Sequence, residues 1–186
     1  MSWIKEIKEE DAEGLLAKAY RRVQEKRGKL SNVMRAQSLM PEAMLAHLDL
    51  YLALMFDEDD GITREQRELI GTVVSALNDC RYCVEHHSTA LNFYWPDRDR
   101  IKELVQTFEI MELPVRDRRL VDYAVKLTRK PSEMTENDIN ALRDADFSDK
   151  DILRATMIVG YFNFVNRLVL GLGIEHSKEE IEGYKY

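Results

Sequence analysis

Thr63-Arg64-Glu65-Gln66-Arg67-Glu68-Leu69-Ile70-Gly71-Thr72-Val73-Val74-Ser75-Ala76-Leu77 runs without interruption into Asn78-Asp79-Cys80-Arg81-Tyr82-Cys83-Val84-Glu85-His86-His87. Thr63 with Gln66 three residues on is a capping box, in which each side chain satisfies a free N–H of the other residue. Leu69, Ile70, Val73, Val74 and Leu77 share one face at helical spacing, so the stretch predicts a helix over 63–77. Asn78-Asp79 supplies a stop and a fresh N-cap. A second helix is therefore expected to carry Cys80 and Cys83 in its first turn and to continue through 91.

The same pattern extends in both directions. Leu15, Leu16, Ala19, Tyr20 and Val23 predict a helix over 11–28 that ends at Gly28, and Met44, Leu45, Leu48, Tyr51, Leu52 and Met55 predict another over 41–56 that opens on Pro41. Asp57-Glu58-Asp59-Asp60-Gly61 reads as a solvated acidic loop. Further helices are expected over 99–108, 116–128, 136–144 and 149–171, punctuated by Pro114, Pro131 and the cap-like Ser148. With only 8 Gly and 4 Pro and no alternating β-branched run, the fold class is all-α. The 186 residues, 45% hydrophobic, suit one domain spanning 1–186, with the cysteine motif at the heart of a core segment at about 41–95.

A net charge of −7 without Lys/Arg blocks or a basic, aromatic-studded stripe argues against nucleic acid as a partner. No apolar stretch approaches the ~20 residues of a membrane span. The segment Met1-Ser2-Trp3-Ile4-Lys5-Glu6 lacks an apolar leader core, so a cytoplasmic location is expected. Two cysteines three apart in a reducing compartment point to redox or metal chemistry rather than to a structural staple.

On a helix, which advances about 100° per residue, Cys83 lies roughly 60° from Cys80, and His87 falls between them one turn beyond Cys83. All three share a face, and His87 is placed to take a thiol proton or pair with a thiolate. A helix start lowers a thiol pKa, Arg81 adds to that effect, and the C-x-x-C spacing lets one thiol resolve an intermediate formed on the other. Zinc is the alternative reading of C-x-x-C followed by His. A structural zinc site takes four ligands, however, and the motif supplies Cys80, Cys83 and His87 alone, which favours redox. Glu68 lies opposite Leu69, Val73 and Leu77, with Gly71, Thr72 and Ser75, and by that position reads as an exposed glutamate. If the chain reverses at Asn78-Asp79, Glu68 lies about 15 Å back and His87 about 12 Å along, a geometry that also lets the two face each other. Asn166 and Arg167, at the polar end of an apolar aromatic helix, read as structural groups that cap or pair.

Glu68, eleven residues, Cys80-Arg81-Tyr82-Cys83, three residues and His87 resemble the E-x11-C-x-x-C-x-x-x-H signature of the alkylhydroperoxidase D family, in the carboxymuconolactone decarboxylase superfamily. Leu30-Ser31-Asn32-Val33-Met34-Arg35, Asp122-Tyr123-Ala124-Val125-Lys126-Leu127-Thr128 and Tyr161-Phe162-Asn163-Phe164-Val165-Asn166-Arg167 extend the likeness to the branch called peroxidase-related proteins.

The resemblance implies an all-helical fold that assembles into trimers or hexamers, and a thiol-dependent peroxidase or disulfide oxidoreductase. Cys83 meets the hydroperoxide, Cys80 resolves, and His87 with Glu68 relays protons. It further implies a lipoylated or thioredoxin-like protein as reductant, with no cofactor beyond the cysteine pair. The lactone decarboxylases of the superfamily lack that pair. The chain departs from the best-known members at Tyr82, where they carry a second histidine; Tyr82 can donate a hydrogen bond to a sulfur or peroxide oxygen but is no base at neutral pH. Two other readings stand beside this one: a metal-binding or redox-sensing oligomer whose C-x-x-C is not catalytic, and an oligomeric scaffold with a vestigial site.

Overall fold

In the computed structural model, which describes residues 2–57, 61–176, 178–181, 183 and 184, every regular element is helical. The α-helices are α1 (Gly14–Arg27), α2 (Asn32–Arg35), α3 (Pro41–Met55), α4 (Arg64–Leu77), α5 (Arg81–Tyr94), α6 (Arg98–Thr107), α7 (Val115–Arg129), α8 (Glu136–Arg143), α9 (Asp149–Gly171) and α10 (Lys178–Ile181). The all-α reading therefore holds. Of the expected acidic loop, residues 58–60 lie outside the described residues. Among the described residues no helix is long and apolar enough to cross a membrane.

The caps read at Thr63, Ser148 and Gly28 form as hydrogen bonds, whereas the N-cap expected at Asn78-Asp79 does not. Thr63 accepts from the Gln66 N–H while the Gln66 side chain accepts from the Thr63 N–H, each at 3.2 Å. Ser148 and Asp151 make the same reciprocal exchange at the start of α9, at 2.9 and 3.2 Å. Gly28 ends α1 in the left-handed region at φ 88°, where a residue without Cβ is unstrained, and its N–H donates to the Gln24 carbonyl at 2.7 Å. The short helices α2 and α10 carry too few periodic residues to be legible in advance, and α5 runs three residues past its expected end.

The described residues gather into two compact units, residues 1–53 with 167–186, and residues 54–166. In the first, Leu16, Ala19, Tyr20 and Val23 of α1 pack with Leu30, Met34, Met44 and Leu48. His47, 5% exposed, is buried there with its Nδ1 2.9 Å from the Gln37 amide.

The second unit is built around α4, which packs against α5, α6 and α7. Leu69 and Val73 of α4 meet Leu91, Trp95, Ile101, Leu104, Phe108, Met111 and Val121 in one cluster. Burial on α4 does not stop at that face, since every residue from Gln66 to Ser75 is buried. The exposed reading of Glu68 is thus overturned. Its polar neighbours do face away from the apolar row, but neighbouring structure covers that side as well, so the polar row becomes interior.

Candidate active site

The connection from α4 to α5 sets the cysteines. Asp79 takes a left-handed conformation at φ 52°, which a short polar residue tolerates, and the Cys80 N–H donates to the Ser75 carbonyl at 3.0 Å. Cys80 is thereby the N-cap residue itself and Cys83 the third helical residue, one step later than the expected cap at Asn78-Asp79. α9 holds the connection from the side. The Asn78 amide donates to Asn163 Oδ1 at 3.1 Å and Asn166 Oδ1 at 3.0 Å, and the fully buried Asn166 donates to Ser75 Oγ at 3.2 Å. Asn166 is accordingly structural, as expected, through a latch across helices that one-dimensional spacing does not reveal.

The two sulfurs lie 2.8 Å apart, both in free cysteines, with Cys80 0% and Cys83 2% exposed. At that separation one thiol hydrogen-bonds the other, and the pair ionises as a unit. The Cys80 thiol is held below its ordinary range. The hydrogen bond with the Cys83 side chain is the largest cause, burial opposes it, and the Cys83 backbone N–H adds a smaller lowering. The helix start that carries both residues favours a negative charge in the same place.

His87, one turn beyond Cys83, is fixed from two directions. Its Nδ1 lies 2.7 Å from Glu68 Oε2, and its ring meets Phe162 of α9 edge-on with centroids 4.4 Å apart. Gly71 makes the second contact possible, because a Cβ there would come within 2.6 Å of Phe162 Cζ. The other Glu68 oxygen, Oε1, is 2.6 Å from Arg64 Nη2, in an ion pair whose side chains are 1% and 16% exposed. Glu68 is thus clamped between a guanidinium and an imidazole.

Cys80, Cys83, His87 and Glu68, the four residues singled out from the sequence, all lie on α4, α5 and the turn between them. Tyr82, also buried, packs its ring on His86, with centroids 4.5 Å apart. Arg64, Phe162 and Gly71 were not singled out. Arg64 stands at i,i+4 from Glu68, a spacing that signals an ion pair but not that the carboxylate is buried. Among the described residues no group of three or more His, Cys, Asp or Glu side chains is arranged to hold a metal ion. A groove of about 360 Å³ between α5 and α6, lined by Val84, Ser88, Asn92, Ile101 and Val105 among others, includes none of the four site residues.

The carboxymuconolactone decarboxylase family matches residues 41–111. An uncharacterised peroxidase-related protein from Silicibacter sp. TM1040 is 31% identical, with 92% of this chain and 91% of that one covered at a TM-score of 0.82. Another from Ralstonia eutropha JMP134, described as an alkylhydroperoxidase AhpD core, is 27% identical over 97% of this chain and 94% of that one, at a TM-score of 0.86. The debrominase Bmp8 shares the fold at 18% identity and a TM-score of 0.75, covering 95% of this chain and 96% of its own. No curated protein matches the sequence.

Proposed function

Because the chain belongs to the alkylhydroperoxidase D-like family, we propose that it reduces hydroperoxides through the Cys80/Cys83 pair, with His87 and Glu68 moving the proton. The observation that carries this reading is the pair of buried sulfurs 2.8 Å apart, one helical turn from an imidazole whose Nδ1 is 2.7 Å from a buried carboxylate. Such an arrangement eases loss of the first thiol proton and keeps the departing proton close by.

The chemistry balances as follows. The dithiol gives one proton to His87 and becomes a monoanion that shares its remaining proton between the two sulfurs, the proton staying with Cys80 Sγ as Cys83 Sγ becomes the nucleophile. Cys83 Sγ attacks a peroxide oxygen, the O–O bond breaks, and an S–O bond forms to give the sulfenic acid. The leaving alkoxide takes the proton from His87 and departs as alcohol. Cys80 Sγ then displaces the hydroxyl from Cys83; the S–O bond breaks, the S–S bond forms, and the Cys80 proton leaves with the hydroxyl as water. An external dithiol returns two electrons and two protons. A lipoylated or thioredoxin-like protein has the chemistry to supply them, and Tyr82 serves as a hydrogen-bond donor beside the pair. A homo-oligomeric assembly and a cytoplasmic setting belong to the same reading.

Turnover of hydrogen peroxide and an organic hydroperoxide with a panel of dithiol reductants tests it. Consumption by the native chain and its loss in Cys83→Ser are the expected results. A reduced native protein that neither consumes peroxide nor forms the Cys80–Cys83 disulfide on oxidation contradicts the reading.

A further inference from the structure

Among the described residues, Arg64 and His87 both lie against the buried Glu68 carboxylate and can balance its charge, and they differ in kind. Arg64 is a permanent cation, whereas His87 is charged only when protonated. Arg64 is well anchored for that task. Besides the 2.6 Å approach of Nη2 to Glu68 Oε1, its Nη1 donates to the Met55 carbonyl at 2.6 Å, and its guanidinium lies over the Phe56 ring at 4.0 Å from the centroid. The next arginine on α4, Arg67, is committed elsewhere, donating to the carbonyls of Ile62 and Asp57 at 2.8 Å each.

Among the described residues His87 is in contact with Glu68 and Phe162, and of these Glu68 alone is charged. α9 presents Phe162, and its polar residues nearest in sequence, Asn163 and Asn166, carry no charge. On α5 the titratable groups on the His87 face are Cys80 and Cys83, while His86 packs on Tyr82. One buried carboxylate needs one counter-charge, because an unbalanced ion in a low-dielectric interior is strongly disfavoured.

We infer that Arg64 is a positioning residue: it is the fixed counter-ion of Glu68, and by filling that role it spares His87 from supplying that charge, with Nδ1–H donated to Glu68 and Nε2 open to receive a thiol proton. Without Arg64, a proton on His87 becomes the charge that balances Glu68, and the imidazole is a poorer acceptor of a thiol proton. This role rests on the thiol-peroxidase reading for its consequence in catalysis, but the charge state of His87 is measurable without turnover.

The test uses the full chain as Arg64→Met, Arg64→Gln and Arg64→Lys. Two quantities are followed against pH: the imidazole proton and carbon shifts of His87, assigned with His87→Gln, and the rate of hydrogen peroxide consumption. In Arg64→Met the His87 midpoint moves up by at least about one pH unit, which is tenfold in proton affinity. The acid limb of the rate profile moves with it. Arg64→Lys keeps both near the native positions, since it keeps the charge. Arg64→Gln repeats the shift if Arg64→Met does not fold. A His87 midpoint unchanged or lowered in a folded, charge-removing variant overturns the inference, because Glu68 then discharges itself without help from His87. If the native protein consumes no peroxide, the proposed activity fails while the imidazole titration still decides the role of Arg64.

Discussion

Glu68 Oε2 stands 2.7 Å from His87 Nδ1, joining two helices through a carboxylate whose side chain is 1% exposed. The contact dictates the histidine's tautomer, since a carboxylate accepts and Nδ1 must then carry the hydrogen, leaving Nε2 as the reactive nitrogen. Glu68→Gln preserves shape and removes charge. Peroxide consumption is expected to fall about 10²-fold or more with the helical content unchanged. Glu68→Ala, which strands Arg64, is expected to cost ~3 kcal/mol of stability as well, read from denaturant unfolding.

Gly71 and Phe162 provide a second prediction, concerned with packing. A methyl at Gly71 would stand 2.6 Å from Phe162 Cζ, so Gly71→Ala must drive the ring away from His87. A loss of about 1–3 kcal/mol is expected from such overpacking. Combining Gly71→Ala with Phe162→Leu should recover part of it, and a double-mutant cycle measures the coupling.

The lowering of the Cys80 thiol traces first to its hydrogen bond with Cys83. Removing that partner in Cys83→Ala should therefore raise the pH at which Cys80 becomes reactive toward iodoacetamide. In the native protein, alkylation should begin at a lower pH than for an ordinary thiol, because the folded pair holds its negative charge where a free cysteine remains protonated. Rate against pH for the two proteins makes the comparison.

Burial lowers His47, in the first unit, to about 4 from an ordinary 6.5. The unfolded chain binds this proton as the pH drops through 6.5 and the folded chain does not until about 4. The associated stability is complete above pH 6.5 and is lost as the pH falls toward 4, reaching about 3 kcal/mol in full. His47→Gln removes the titrating group. The difference between thermal stability at pH 7 and at pH 4.5 should accordingly be smaller for this variant than for the native chain.

Much of this architecture can be read from local chemistry. The Thr63/Gln66 box, the stop at Asn78-Asp79 and Gly28 each satisfy a backbone requirement within a few residues, and each forms as expected. The cysteine pair and His87 share a helical face for the same local reason. Glu68 shows where such reading stops. Helical periodicity gives the face on which a side chain lies but not what covers that face, and α4 is covered all round. Only the family resemblance brought Glu68 into the site. Phe162 and the Asn78–Asn166 latch depend on contacts between helices distant in sequence, for which no spacing rule exists, whereas Arg64 stands one turn before Glu68 at a spacing that does allow an ion pair.

The most direct test of the account is a single-turnover reaction of the fully reduced chain with one equivalent of hydroperoxide in the absence of added thiol. The native protein should consume the peroxide and form a Cys80–Cys83 disulfide. Cys80→Ser should stop at a sulfenic acid trapped by dimedone on residue 83, and Cys83→Ser should leave the peroxide untouched. Consumption by Cys83→Ser at the native rate, or a native protein that stays reduced, would contradict it.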